Sequence, residues 1–203
     1  MIFDIDNGGQ IEHLPFVIKK LEQAGVSAII MEDKIGLKKN SLFADQKNVQ
    51  QDSIKNFCKK IKTVKNTQIS DDFFFISRID SLILGKSVND ALKRAIAYSK
   101  AGSDCIMIHS KDNNPKSIFE FAKKFKKTKY FKPLVSVPST YSTTYEKDLI
   151  KNGFRIVIYA NQLLRGSYNA MVDTSKKILK FKRAHEVEKN ICPIKDILVL
   201  IKD

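Results

Sequence analysis

The chain has 203 residues, 43 % of them hydrophobic, with only eight glycines and five prolines, which excludes a disordered or collagen-like polymer and suffices for one domain with a sizeable core. Its formal charge of +14 rests on 31 lysines and five arginines against 22 acids. Lysines spread over helix faces, as at Lys123, Lys124, Lys126 and Lys127, show no pattern of stacking aromatics, and specific recognition of phosphates and bases leans on arginine forks, so no nucleic-acid partner is expected.

Short apolar blocks recur along the chain at residues 2–3, 28–31, 73–77, 105–108, 134–137 and 155–159. Continuous blocks of this length suit strands buried on both faces of a parallel sheet. Between them the apolar period is helical: Leu14, Val17, Ile18 and Leu21 make one stripe, Ile54, Phe57, Cys58 and Ile61 a second, Ala91, Ala95 and Tyr98 a third. Gly25, Gly102 and Gly153 stand just before the next strand, where a left-handed helix end is expected. A long helix is expected over residues 162–182, then a polar link to Pro193, then a C-terminal helix over residues 194–202.

Alternating strands and helices mean a parallel α/β architecture, either a doubly wound sheet or a (β/α)8 barrel of the TIM type. Asp4 and Asp6, Glu32, Arg78, His109, Ser139 and Asn161 all stand at or just beyond the C-terminal ends of successive strands. Convergence from many strand ends is the barrel arrangement, whereas a doubly wound sheet gathers its contacts at one crevice with a glycine-rich turn. The expected fold is therefore an incomplete barrel, with about six of the eight βα units of the full fold. The expected division is a partial barrel over residues 1–182, followed by a linker and C-terminal helix over residues 183–203.

No stretch approaches the roughly 18 apolar residues of a membrane span, and no basic N-terminal region precedes an apolar one, so no membrane is expected. The three cysteines, Cys58, Cys105 and Cys192, are odd in number and lack C-x-x-C spacing. Neither a disulfide framework nor a zinc site is indicated, which fits a reducing cytoplasm.

Four stretches carry chemistry. Aspartates at i and i+2 of a strand share a face, so Asp4 and Asp6, followed by Gly8-Gly9 and joined by Glu32 from the next strand, would form an oxygen-rich site for Mg2+. Arg78 suits bidentate capture of a carboxylate or phosphoryl group, and His109 a second contact to it. The polar loop Glu32-Asp33-Lys34-Ile35-Gly36-Leu37-Lys38-Lys39-Asn40-Ser41-Leu42 follows directly on an apolar strand and reads as a site.

The loop resembles, as E-D-K-x-x-x-K-x-N-S-L, the active-site loop of phosphoenolpyruvate mutases in the isocitrate lyase/phosphoenolpyruvate mutase superfamily. Asp4-Ile5-Asp6-Asn7-Gly8-Gly9 is similar to that family's D-x-D-T-G-G metal motif, with Asn7 in place of Thr. Ile76-Ser77-Arg78 resembles its A-R and Met107-Ile108-His109-Ser110 its M-H-S, in the same order. The resemblance, which extends from about Ile2 to about Leu179, implies a Mg2+-dependent interconversion of phosphoenolpyruvate and phosphonopyruvate. Lys38, Asn40, Arg78 and His109 would be the candidate catalytic residues, and these with Ser41 would bind substrate. Lyases of the superfamily carry a loop cysteine as proton donor. No cysteine stands in the loop here, so carbon–carbon cleavage is not expected.

Two alternatives stay open. A phosphonopyruvate hydrolase shares fold and metal site, although it tends to place a hydroxyl residue where Asn40 stands. Family members begin with two further βα units before the D-x-D strand, so the chain could also be an inactive fragment or an assembly partner of a longer homologue. The resemblance also implies a homo-oligomer that exchanges C-terminal helices between subunits. Asp80 stands where many relatives carry Glu, one methylene longer.

Overall fold

In a computed structural model of the chain, residues 1–36, 40–41, 46 and 48–200 are described. They form two compact units, Met1–Ile158 and Tyr159–Asp203.

The first unit is built on a six-stranded parallel sheet: β1 (Ile2–Asp4), β2 (Ala28–Glu32), β5 (Phe74–Ile79), β6 (Cys105–Ile108), β7 (Leu134–Ser136) and β8 (Phe154–Val157). All five pairings are parallel, and the order across the sheet is the order along the chain. A doubly wound sheet reverses direction at its switch point; this one never does, as the barrel expectation requires. A separate ribbon pairs β3 (Lys34–Ile35) antiparallel with β4 (Gln50–Gln51). The sequence gives no period for such two-residue strands, and the ribbon was not expected.

Helices α1 (Leu14–Gln23), α2 (Ile54–Thr67), α3 (Val88–Ala101), α4 (Lys116–Lys126) and α5 (Glu146–Lys151) connect the strands. Ser53 and Ser87 cap α2 and α3 by accepting from the amides of Asn56 and Asp90, which satisfies a donor the first turn leaves free. At the other end of α3, Gly102 takes φ 117°, the left-handed conformation that glycine adopts without steric cost.

Alternation along each strand separates two apolar layers. Ile29, Met31, Phe75, Ile79, Ile106, Ile108 and Leu134 pack in one cluster with Leu14, Ile18, Phe57, Ile61, Ala91, Ala95, Tyr98 and Phe121 of the helices. Ala28, Ile30, Ile76, Cys105, Met107, Val135 and Val137 form the second, on the inner face of the sheet. Burying a large side chain of this kind contributes about 1.5–3 kcal/mol, so both layers fix the register strongly. Among the described residues β1 and β8 end the sheet, and β1 is exposed along its length, with Ile2 40 % and Phe3 46 % accessible.

The second unit contains α6 (Gln162–Phe181), close to the expected long helix, a 3-10 turn at Glu188–Asn190 and α7 (Ile194–Leu198). α7 spans five residues, less than the expected run. No residue of α6 is buried, and no helix among the described residues is long and apolar enough to cross a membrane.

Candidate active site

Strand register decides which side chains can meet. Glu32 lies opposite Arg78, and Arg78 opposite Met107, so Glu32, Arg78 and, two residues beyond Met107, His109 continue the inner face above Ile30, Ile76 and Met107. Asp4 pairs with Ile30 and so belongs to the same face. The sequence-derived candidates from four strand ends thus share one face of the sheet.

Around Arg78 the charges are paired. Its Nε donates to Asp80 Oδ1 at 3.0 Å, its Nη1 stands 3.4 Å from Glu32 Oε2, and its Nη2 donates to the Ser41 hydroxyl. Lys34 completes the cluster, with its ammonium 2.7 Å from Asp80 Oδ2, 2.9 Å from Ser41 Oγ and 3.9 Å from Glu32 Oε2. Every member is buried. Burial opposes the ionised Asp80 carboxylate, but Arg78 and Lys34 beside it hold its pKa below the usual carboxylate range. The short Asp80 side chain reaches both cations despite lacking the extra methylene of Glu.

His109 is also buried, and its Nδ1 meets no hydrogen-bond partner among the described residues. Burial, reinforced by the Arg78 guanidinium, pushes its pKa down to about 4, so the imidazole is neutral at neutral pH. A neutral ring with a buried open nitrogen can accept or donate one hydrogen bond to a bound group.

Asp4, Asp6 and Glu32 supply hard oxygen donors at neighbouring strand ends. Asp4 Oδ1 accepts from the Asp6 amide at 2.9 Å, a turn that supports the left-handed φ of 54° at Asp6, and the Glu32 amide donates to the Asp6 carbonyl at 2.7 Å. Among the described residues no three His, Cys, Asp or Glu side chains are already gathered as a metal cluster. An oxygen-only set nonetheless fits magnesium, which keeps several waters and takes one or two carboxylates directly. Asn7 in the same turn accepts from the Gly9 amide at 2.9 Å and donates to the Gly36 carbonyl at 2.9 Å, tying the D-x-D turn to the start of the loop.

Of the loop candidates, Ser41 is buried in the ion cluster, whereas Asn40 is exposed and its carbonyl accepts from Gln46 Nε2 at 2.9 Å. Lys38 lies outside the described residues. A cleft of about 760 Å3 opens beside the loop, between Asn7, Gly9 and Gln10 on one side and Asn56, Lys59 and Lys60 on the other, with Lys34 in its wall.

A family model described as phosphoenolpyruvate phosphomutase matches residues 1–179. The chain belongs to the phosphoenolpyruvate phosphomutase family. It is 35 % identical over 201 residues to the phosphoenolpyruvate phosphomutase of Tetrahymena pyriformis, which covers 98 % of this chain and 66 % of that protein. The crystal structure of the phosphoenolpyruvate phosphomutase of Streptomyces platensis subsp. rosaceus superposes with a TM-score of 0.93 at 33 % identity, covering 98 % of this chain and 68 % of that one. The crystal structure of a phosphonopyruvate hydrolase in complex with oxalate and Mg2+ superposes with a TM-score of 0.87 at 32 % identity, covering 98 % and 67 %. The chain thus spans just under two thirds of the Tetrahymena phosphomutase. Against these barrels of the phosphomutase family, its six strands are an incomplete (β/α) barrel.

Reading the phosphomutase-family sequence missed one group of residues. Asp33, Gln51, Arg94 and Tyr98 form a buried polar hub behind the sheet, and Lys34 joins the ion cluster in front of it. The available signal was the pair Glu32-Asp33, because consecutive residues of a strand face opposite layers and two acids there cannot both enter one site.

Proposed function

We propose that this chain forms part of a phosphoenolpyruvate phosphomutase, which interconverts phosphoenolpyruvate and phosphonopyruvate with Mg2+. The observation that carries this reading is the placement of Asp4, Glu32, Arg78 and His109 on one face by strand register, in a chain of this family. Arg78, bound to Ser41 and Asp80, presents a fixed planar fork to a carboxylate or phosphoryl group. His109, neutral, offers a nitrogen to the same group without adding a charge. Asp4, Asp6 and Glu32 would hold Mg2+, which supplies Lewis-acid stabilisation of a pyruvate enolate. Transfer of a phosphoryl group through a loose transition state needs positioned cations more than covalent chemistry, and Lys34, Arg78 and Lys38 are suited to that role. The phosphonopyruvate hydrolase structure with Mg2+ supports the choice of ion.

Lys38 and Asn40 match the mutase loop and would hold the phosphoryl group away from water, which favours isomerisation over hydrolysis. The remaining elements of the reading concern assembly and place. In the second unit, Leu163, Leu164, Tyr168 and Met171 of α6 are 88, 71, 63 and 59 % exposed, which supports a homo-oligomer in which residues 183–203 and α6 pack against a second copy. The three free cysteines support a reducing, cytoplasmic setting.

Phosphorus NMR tests the reaction: phosphonopyruvate and Mg2+ are incubated with the chain extended at its N-terminus by two βα units of a family member. Phosphoenolpyruvate should form, Arg78→Ala should abolish it, and Asn40→Thr should divert product toward pyruvate and phosphate. Formation of pyruvate and phosphate by the unsubstituted protein would establish the hydrolase instead. Absence of turnover with properly folded protein would leave the assembly-partner reading.

A further inference from the structure

We infer that Asp33 is a positioning residue which, clamped from behind by Arg94 and Tyr98 of α3, sets the geometry of the Lys34–Asp80–Arg78 cluster on the opposite face of the sheet. The functional consequence rests on the reaction proposed above; the clamp itself stands on geometry alone.

Asp33 is fully buried and faces the helix layer, opposite to Glu32. Tyr98 OH donates to its Oδ2 at 2.8 Å, Arg94 Nη1 reaches the same oxygen at 3.2 Å, and Gln51 Nε2 donates to both oxygens at 3.0 and 2.9 Å. Its Oδ1 also accepts the Asp80 amide at 3.0 Å. The backbone of Asp33 adds two further ties: its amide donates to the Arg78 carbonyl at 3.1 Å, and its carbonyl accepts from the Asp52 amide at 2.8 Å. Arg94 Nη1 then binds the Asp52 carbonyl at 2.8 Å and Tyr98 OH at 2.9 Å, while its Nε reaches Asp90 at 3.1 Å.

These bonds converge on the three places from which the ion cluster hangs. Lys34 follows Asp33 directly and pairs through β3 with Gln51, which Asp33 holds by the side chain. Asp80 is held by its amide, and Arg78 by its carbonyl. A buried polar side chain is costly unless its oxygens are satisfied, and one that divides its bonds between α3 on one side and the Asp80 strand end and the ribbon on the other ties these elements together. Phe57, its ring tilted by 49° against that of Tyr98 with centroids 4.6 Å apart, limits any sideways escape of the phenol.

The test uses the folded chain without substrate, so it fails or succeeds independently of which reaction the protein performs. Residue-resolved hydrogen exchange is measured for the amides of Asp80 and Asp52, which Asp33 holds, and for those of Ile106 and Leu134, which bond the Pro133 and Gly153 carbonyls elsewhere in the sheet. Acetylation rates are followed at Lys34, 3 % exposed in the cluster, and at Lys65, which pairs with Asp104 away from it. Tyr98→Phe, the mild variant, and Asp33→Asn should speed exchange at Asp80 and Asp52 by up to roughly tenfold, as loss of a buried hydrogen bond implies. Lys34 should be acetylated faster, while Ile106, Leu134 and Lys65 keep their rates. Arg94→Lys, which retains a cation, should recover part of the protection that Arg94→Ala loses. Equal acceleration at all four amides would reduce the hub to general stabilisation and overturn the assignment, as would unchanged rates at Asp80 and Lys34.

Discussion

Lys34 and Asp80 meet at 2.7 Å with neither side chain more than 3 % exposed, and Arg78 shares the same carboxylate. Removing one partner of such a group leaves the others charged, buried and uncompensated, which is more costly than never having built the pair. Asp80→Ala should therefore lower unfolding stability by roughly 3 kcal/mol. Urea titration should show a lower midpoint with an unchanged slope, and a midpoint equal to that of the unsubstituted chain would show that the cations find water instead.

His109 gives stability a defined pH dependence. Its pKa is about 4 in the folded chain, held down first by burial and then by Arg78, against 6.5 for an unperturbed imidazole. Between these values the unfolded chain binds the extra proton, so stability rises with pH across that window and is lost as pH falls from about 6.5 to 4, by roughly 3 kcal/mol. His109→Gln should flatten this limb. Proton NMR of the imidazole checks the cause directly, because a midpoint near 6.5 would place the ring in water.

Metal affinity should depend on both strand ends that flank the D-x-D turn. Asp4→Ala and Glu32→Ala are each expected to weaken Mg2+ binding about tenfold or more, by loss of a direct or water-bridged carboxylate. Calorimetric titration on each folded variant measures this, and two unchanged isotherms would remove these residues from the metal site.

A side chain at Gly8 should destabilise the chain. It adopts φ +74°, and a Cβ there would stand 2.8 Å from Met31 Cε and 3.1 Å from Leu14 Cδ2. Met31 has a flexible end that can yield, so backbone strain dominates, and Gly8→Ala should cost roughly 1–2 kcal/mol in a thermal or urea melt. A neutral substitution would mean that the turn between Asp6 and Gly9 relaxes freely.

The sheet was largely legible in the sequence because a strand buried on both faces must be apolar throughout, as at Ile29, Ile30 and Met31. Arg78 and His109 stood out as charged or polar residues ending such blocks. The partners that orient them did not. Ser41 and Lys34 meet Arg78 and Asp80 through a chain reversal at the β3–β4 ribbon, and Arg94 and Tyr98 reach Asp33 across more than sixty residues, separations at which no local period carries information. Asp4 and Asp6 were expected to share a strand face, whereas β1 ends at Asp4 and Asp6 stands in a left-handed turn beyond it; nor was the turning of Glu32 toward Arg78 legible.

Glu32 and Asp33 are chain neighbours that belong to different tasks. Glu32 opens onto the inner face beside Arg78, and Asp33 is spent on the layer of helices. A substitution at position 32 would therefore be felt first by the buried charges around Arg78, and one at position 33 by the bonds to α3. The division between the two tasks runs through a single peptide bond, with the twofold alternation at the end of the strand as the device that keeps the two apart.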